Sequence, residues 1–146
     1  MKNLIIARHG LCAEDGNLDV SGRSQIVGLS IKLEQILTGG VICVLSSTVA
    51  RAVQSARIIS WSFGVEEAEE YELLVSPPVD LESVCRLVGQ FEGFCTHLII
   101  VTHSEYARDL PAYFGRVALG VNFESHALLP GQAWVIDCEE KTIRMI

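Results

Sequence analysis

The chain is predicted to be an α/β protein: a three-layer αβα sandwich around a mainly parallel, mixed sheet. Three observations carry this expectation. Short apolar runs, Leu4–Ala7, Val41–Leu45 and Leu98–Thr102, are continuous rather than alternating, as in strands buried on both faces. Segments with helical spacing separate them, as crossover connections require. Each run also ends on residues that carry chemistry: Arg8-His9-Gly10, Ser46-Ser47-Thr48 followed by Arg51, and His103.

The elements follow in order. Strand one covers roughly residues 3–8. Leu11 to Val20 is polar and contains glycine, so it reads as a loop crossing the strand ends. Ser21 can cap a helix running through Ile26, Leu29, Leu33 and Ile36, which Gly39-Gly40 terminates. Strand two covers roughly 41–45. A second helix starts near Thr48, with Val49, Ala52, Val53, Ala56, Ile59 and Ser60 on one face. The Glu-rich piece ending in Tyr71–Val75 reads as a short edge strand. Pro77-Pro78 breaks the chain, and Asp80 caps a third helix through Leu81, Val84, Leu87 and Val88. Strand four covers roughly 97–102. Ser104 can cap a short helix that Pro111 shortens or bends. Ala133–Cys138 and Thr142–Ile146 form a tail hairpin across the polar turn Glu139-Glu140-Lys141, which makes the sheet mixed.

The bulk numbers narrow the function. A length of 146 residues suits one domain, 1–146, with a single sizeable core. Apolar residues make up 49% and charged ones 20%, which excludes a disordered chain. Mean hydropathy is +0.35, yet no apolar run approaches the ~20 residues of a membrane span. The first strand is too short for a secretory signal and lacks a cleavage pattern. A cytoplasmic location and no membrane partner are the expectation. Net charge is −7, from 18 acidic residues against 11 Lys and Arg, so no nucleic-acid partner is expected. Glu66, Glu67, Glu69, Glu70 and Glu72 read as a solvated edge rather than a metal site.

Five cysteines, Cys12, Cys43, Cys85, Cys95 and Cys138, form no CxxC pair and read as reduced thiols. Cys12, just past the Arg8-His9-Gly10 turn, reads as a loop thiol rather than a nucleophile.

Ligands of open α/β sheets bind beyond the carboxyl ends of the strands. Two histidines and two arginines at three such ends suggest one pocket that holds phosphate. A nucleophilic histidine must be neutral, fixed in one tautomer and surrounded by cations for the phosphoryl oxygens. His9, flanked by Arg8, has these elements. Arg51 lies in the first turn of the second helix, where free amides also favour an anion, and its planar fork suits phosphate. A histidine alone at a strand end is ordinarily a satisfied polar residue. It is the set His9, Arg8, Arg51 and His103 that points to chemistry. His97 and His126 read as ordinary packing or surface histidines.

In this pattern the chain resembles the histidine phosphatase superfamily, the phosphoglycerate mutase-like proteins. The matching pieces are Leu4–Gly10, Leu18 with Ser21–Gln25, Ser46–Ala56, and Val101–His103, in the family's order. The resemblance implies a phosphoglycerate mutase-like fold, a phosphorylated nucleophile in His9, and a phosphate pocket built from Arg8, Arg51 and His103. Gln25 and Gln54 match motif positions and read as packing or supporting residues.

Two features depart from that pattern. Where the mutase branch has a Glu in a Leu-x-Glu setting, this chain reads Leu74-Val75-Ser76. Glu105, two residues after His103, is then the preferred general acid, and Glu72 the alternative. The chain also has little room for a capping insertion, and so resembles the short SixA-like phosphohistidine phosphatases. The resemblance implies a hydrolase without metal or other cofactor, acting on a phosphorylated protein. The alternatives are a small-molecule phosphomonoesterase, with a small phosphate ester as substrate, and a non-catalytic phosphate-binding module.

Overall fold

The computed structural model describes residues 1–146. A six-stranded sheet runs in the order β3-β2-β4-β1-β5-β6, with β1 (Asn3–Arg8), β2 (Ile42–Ser46), β3 (Glu69–Glu70), β4 (His97–Thr102), β5 (Ala133–Asp137) and β6 (Thr142–Met145). The β2–β3, β2–β4 and β1–β4 pairs are parallel, and β1–β5 and β5–β6 antiparallel. The helices are α1 (Val20–Ile36), α2 (Ala50–Ser62), α3 (Leu81–Phe91) and α4 (Ser104–Phe114).

The apolar runs read as continuous because successive side chains enter two different cores. Leu4, Ile6, Leu98 and Ile100 join α3 and α4 on one face; Ile5, Ala7, Ile99 and Val101 join α1 and α2 on the other. All eight are fully buried. At about 1.5–3 kcal/mol for each large aliphatic side chain, this double burial fixes β1 and β4 at the centre of the sheet. β4 lies between β1 and β2, so the strand ends that carry Arg8, Ser46 and Thr102 are adjacent. The fold is the expected three-layer αβα sandwich.

Several local expectations are corrected. Asp19 caps α1 in place of Ser21, its carboxylate accepting from the Gly22 amide at 2.6 Å. α2 begins at Ala50 rather than Thr48, because the Thr48 hydroxyl is turned away onto the Glu72 carboxylate at 2.6 Å. The edge strand is only Glu69–Glu70. Glu72–Leu74 forms a 3-10 turn instead, pinned by Tyr106 Oη on the Leu73 carbonyl and Thr102 Oγ1 on the Leu74 carbonyl. His103, not Ser104, occupies the cap position of α4, and the Ser104 hydroxyl donates to Glu105. α4 runs through Pro111 to Phe114 and into a π turn at Gly115–Leu119. Leu110, Pro111 and Phe114 are all buried there, which offsets the one backbone donor that proline lacks. No helix is long and apolar enough to cross a membrane.

Candidate active site

The site grows from the turn that ends β1. A Cβ on Gly10 would lie 2.5 Å from the Gly22 carbonyl oxygen, so only glycine lets this turn pack against the start of α1. The turn is fixed from both sides. Ser55 Oγ accepts from the Gly10 amide at 3.2 Å and donates to the Arg51 carbonyl at 2.7 Å. Gln25 Oε1 accepts from the Leu11 amide at 3.0 Å. Gln54 accepts from the Leu18 amide and donates to Asn17 Oδ1, both at 2.7 Å. Gln25 and Gln54 are therefore supporting residues, as read from the sequence.

His9 is held in one tautomer by its partners. The Gly10 carbonyl can only accept, so the imidazole contact at 2.7 Å requires a proton on Nδ1. Nε2 is left with its lone pair, which takes the Arg51 Nε–H at 3.0 Å. Burial, reinforced by the Arg51 and Arg8 charges, lowers the His9 pKa from 6.5 to about 4. His103 packs edge-on against His9, with ring centroids 5.1 Å apart, and its Nε2 meets Ser47 Oγ at 2.8 Å. Its pKa is also lowered from 6.5 to about 4, by burial first and then by His9 and Arg51. Both rings are neutral at pH 7.

Arg8 reaches the same corner. Its Nη1 donates to the Leu128 carbonyl at 2.6 Å, while its buried Nε has no partner. A buried unpaired guanidinium N–H is costly unless a ligand accepts from it. α2 and α4 start at the ends of β2 and β4, and neither has a side-chain cap; α1 and α3 are capped by Asp19 and Asp80. The uncapped amides add to the positive potential of the corner. It is therefore suited to a tetrahedral oxyanion placed before the His9 lone pair.

The two candidate acids differ. Glu105, in the first turn of α4, is half-buried, and its charge acts on both His9 and His103. Its pKa is lowered, chiefly by its own backbone N–H and then by the neighbouring Ser76 and Ser104 hydroxyls. The Ser76 hydroxyl approaches without reaching hydrogen-bond geometry. Glu72 is exposed and bound to Thr48. Of the remaining histidines, His97 is buried between Asn3 Nδ2 and the Gly39 carbonyl, and the exposed His126 lies edge-on to Trp134. Cys12 is exposed in the loop.

Three groups were not foreseen from the sequence: Ser47 under His103, Ser55 under Gly10, and the Leu128 carbonyl on Arg8. Ser47 stood in a Ser-Ser-Thr cluster at a strand end and could have been noticed. The Leu128 contact spans 120 positions and leaves no local trace.

No protein-family model matches the chain, and no curated protein matches it in sequence. Solved structures do match in fold. The protein histidine phosphatase SixA, complexed with tungstate, superimposes with a TM-score of 0.73 at 18% identity, covering 99% of this chain and 94% of that one. A mycobacterial glucosyl-3-phosphoglycerate phosphatase, in complex with VO3, gives 0.72 at 13% identity, covering 100% and 98%. Phosphoserine phosphatase from Entamoeba histolytica gives 0.64 at 13% identity, covering 99% and 95%. The chain shares the phosphoglycerate mutase-like αβα fold of these proteins.

Proposed function

We propose that this chain, built on the histidine phosphatase fold, is a phosphatase that works through a phosphorylated His9. The observation that carries the reading is the His9 ring itself: neutral, locked with its proton on Nδ1, and presenting Nε2 to the Arg51 Nε–H, with the His103 ring packed edge-on and the Arg8 charge acting on it. Arriving phosphoryl oxygens take over the Arg51 guanidinium, with the Arg8 charge beside them. This frees the Nε2 lone pair to attack phosphorus. The bond from phosphorus to the leaving group breaks as the Nε2–P bond forms, and the arginines neutralise the equatorial oxygens. Water then attacks phospho-His9, phosphate leaves, and His9 returns to its neutral form.

The sequence at Leu74-Val75-Ser76 favours a phosphohistidine protein as substrate, because Ser76 stands where the mutase branch carries its acid. Glu105, half-buried in the first turn of α4, can take a proton from the attacking water. A phosphate ester requires an acid for its alkoxide. An imidazole leaving group needs much less acid help. The arginines supply the positive charge, and no cluster of His, Cys, Asp or Glu forms a metal-ligand set, so turnover should be unchanged by EDTA.

The test offers the chain a phosphorylated histidine-containing protein domain beside a panel of sugar phosphates. The proposal expects release of phosphate from the domain; turnover of the esters alone would overturn the substrate class. SixA and glucosyl-3-phosphoglycerate phosphatase share the fold and bear names from both classes, so fold alone does not choose between them.

A further inference from the structure

Just past the end of β2, a buried serine meets the second histidine of the site. Ser47 is fully buried, and its Oγ lies 2.8 Å from His103 Nε2. Its main chain is pinned on both sides. The Ser47 amide donates to the Val101 carbonyl at 3.1 Å, and the Ser47 carbonyl accepts from the Ser46 hydroxyl at 2.7 Å. β2 and β4 pair in parallel with Ser46 opposite Val101, so Ser47 and His103 emerge from adjacent strand ends. Sheet register, rather than a loop, sets the contact.

The direction of the bond follows from donors and acceptors. Ser47 Oγ has one other partner, the Val49 amide at 3.4 Å, and an amide only donates. The one acceptor bonded to the hydroxyl is therefore His103 Nε2. The reverse arrangement, with Nε2–H donating to Oγ, would strand a hydroxyl proton in a fully buried position, which is costly. His103 is neutral at pH 7, because burial brings its pKa down to about 4. A neutral imidazole carries one proton, so a lone pair on Nε2 leaves that proton on Nδ1. Nδ1 has no partner in the chain, since the bond to Ser47 is the only one the ring makes and it does not cap α4. Nor is Nδ1 sealed off: the buried unpaired side-chain atoms are Arg8 Nε, Ser60 Oγ, Ser76 Oγ and Trp134 Nε1. The His9 ring is 5.1 Å away, centroid to centroid.

We infer that Ser47 is a positioning residue: its hydroxyl fixes His103 as the Nδ1–H tautomer, a hydrogen-bond donor for a tetrahedral oxyanion at His9. In the other tautomer Nδ1 would present a lone pair to those oxygens, losing a donor and adding repulsion. The two histidines thus hold their protons on the same nitrogen for opposite purposes. His9 exposes a nucleophilic Nε2, and His103 exposes an N–H. The Gly10 carbonyl sets the first and the Ser47 hydroxyl the second. The donor role rests on the phosphate-site reading, whereas the tautomer stands without it.

The experiment records long-range proton–nitrogen spectra of the full chain at pH 7 with isotope-labelled histidine, and measures orthovanadate affinity beside them. A His103→Asn variant identifies the His103 signals. Wild type should show His103 as Nδ1–H. Ser47→Ala should release the ring to the Nε2–H tautomer and weaken vanadate binding by about 10–100-fold. An Nε2–H ring in wild type overturns the inference without any variant. So does an unchanged tautomer in a folded Ser47→Ala chain, or full vanadate affinity despite a switched one. An Nδ1–H ring in a wild-type chain that binds no vanadate would sustain the tautomer and overturn the phosphate-site reading instead.

Discussion

The two halves of α2 use their polar side chains in opposite ways. In the first half, Arg51 caps the lone pair of His9, Gln54 ties down the Leu18 amide and Asn17, and Ser55 links Gly10 to the Arg51 carbonyl. In the second half, the Ser60 hydroxyl is buried without a partner and Arg57 forms no ion pair. The first half therefore builds a fixed geometry, which is what positioning a nucleophile requires. The second leaves the buried Ser60 hydroxyl unpaired, a cost to stability rather than a fixed geometry. A single helix thus organises the site at one end and leaves polar groups unpaired at the other.

The contrast can be broken most forcefully at Arg51. Arg51→Ala should cost roughly 3 kcal/mol or more of transition-state stabilisation, over a hundredfold in kcat/KM, with the fold unchanged by circular dichroism. A near-wild-type rate would show that the site is wrongly placed. Acid should expose the next largest effect. The unfolded chain binds protons near pH 6.5 at His9 and His103, whereas the folded chain holds both at about 4. Stability is therefore complete above pH 6.5 and is lost as pH falls toward 4. The His9 shift alone is worth roughly 3 kcal/mol across that window, read by urea melts at each pH. His9→Ala should flatten part of this slope.

Two serines on the same helix sharpen the comparison at smaller scale. Ser55→Ala removes a hydroxyl engaged on both sides, and should lower stability by about 1–2 kcal/mol and slow turnover by loosening the Gly10 turn. Ser60→Ala removes a hydroxyl with no partner and adds a better helix former, so it should raise stability by about 1 kcal/mol. Denaturation midpoints that moved the same way for both would contradict the division of the helix.

Sequence alone carried a large part of this structure, for a physical reason. Strands buried on both faces appear as continuous apolar runs, and the residues just past them fall at the carboxyl edge of the sheet. Arg8, His9, Arg51 and His103 were legible on that ground. What stayed hidden depends on contacts between distant segments. The hydrogen bonds of Tyr106 and Thr102 turn Leu73 and Leu74 away from the strand expected at Tyr71–Val75. The preference of α1 for Asp19 over Ser21 rests on one short bond to Gly22. Ser60 belonged to the apolar face of α2 in the linear pattern, and nothing local showed that its hydroxyl would lack a partner. The run from Glu66 to Glu72 was legible as a solvated edge: Glu66, Glu67, Glu69, Glu70 and Glu72 are all exposed around the edge strand β3.

The central claim rests on the orientation of His9, and a phosphoenzyme trap tests it most directly. The chain is mixed with a labile phosphodonor, quenched within milliseconds, and mapped by mass spectrometry under alkaline conditions. Acid-labile phosphate should appear on His9, at Nε2 because Nδ1 is engaged by the Gly10 carbonyl, and should vanish in His9→Ala. No label from any donor on a folded chain, or label on a different residue, would contradict the proposed nucleophile.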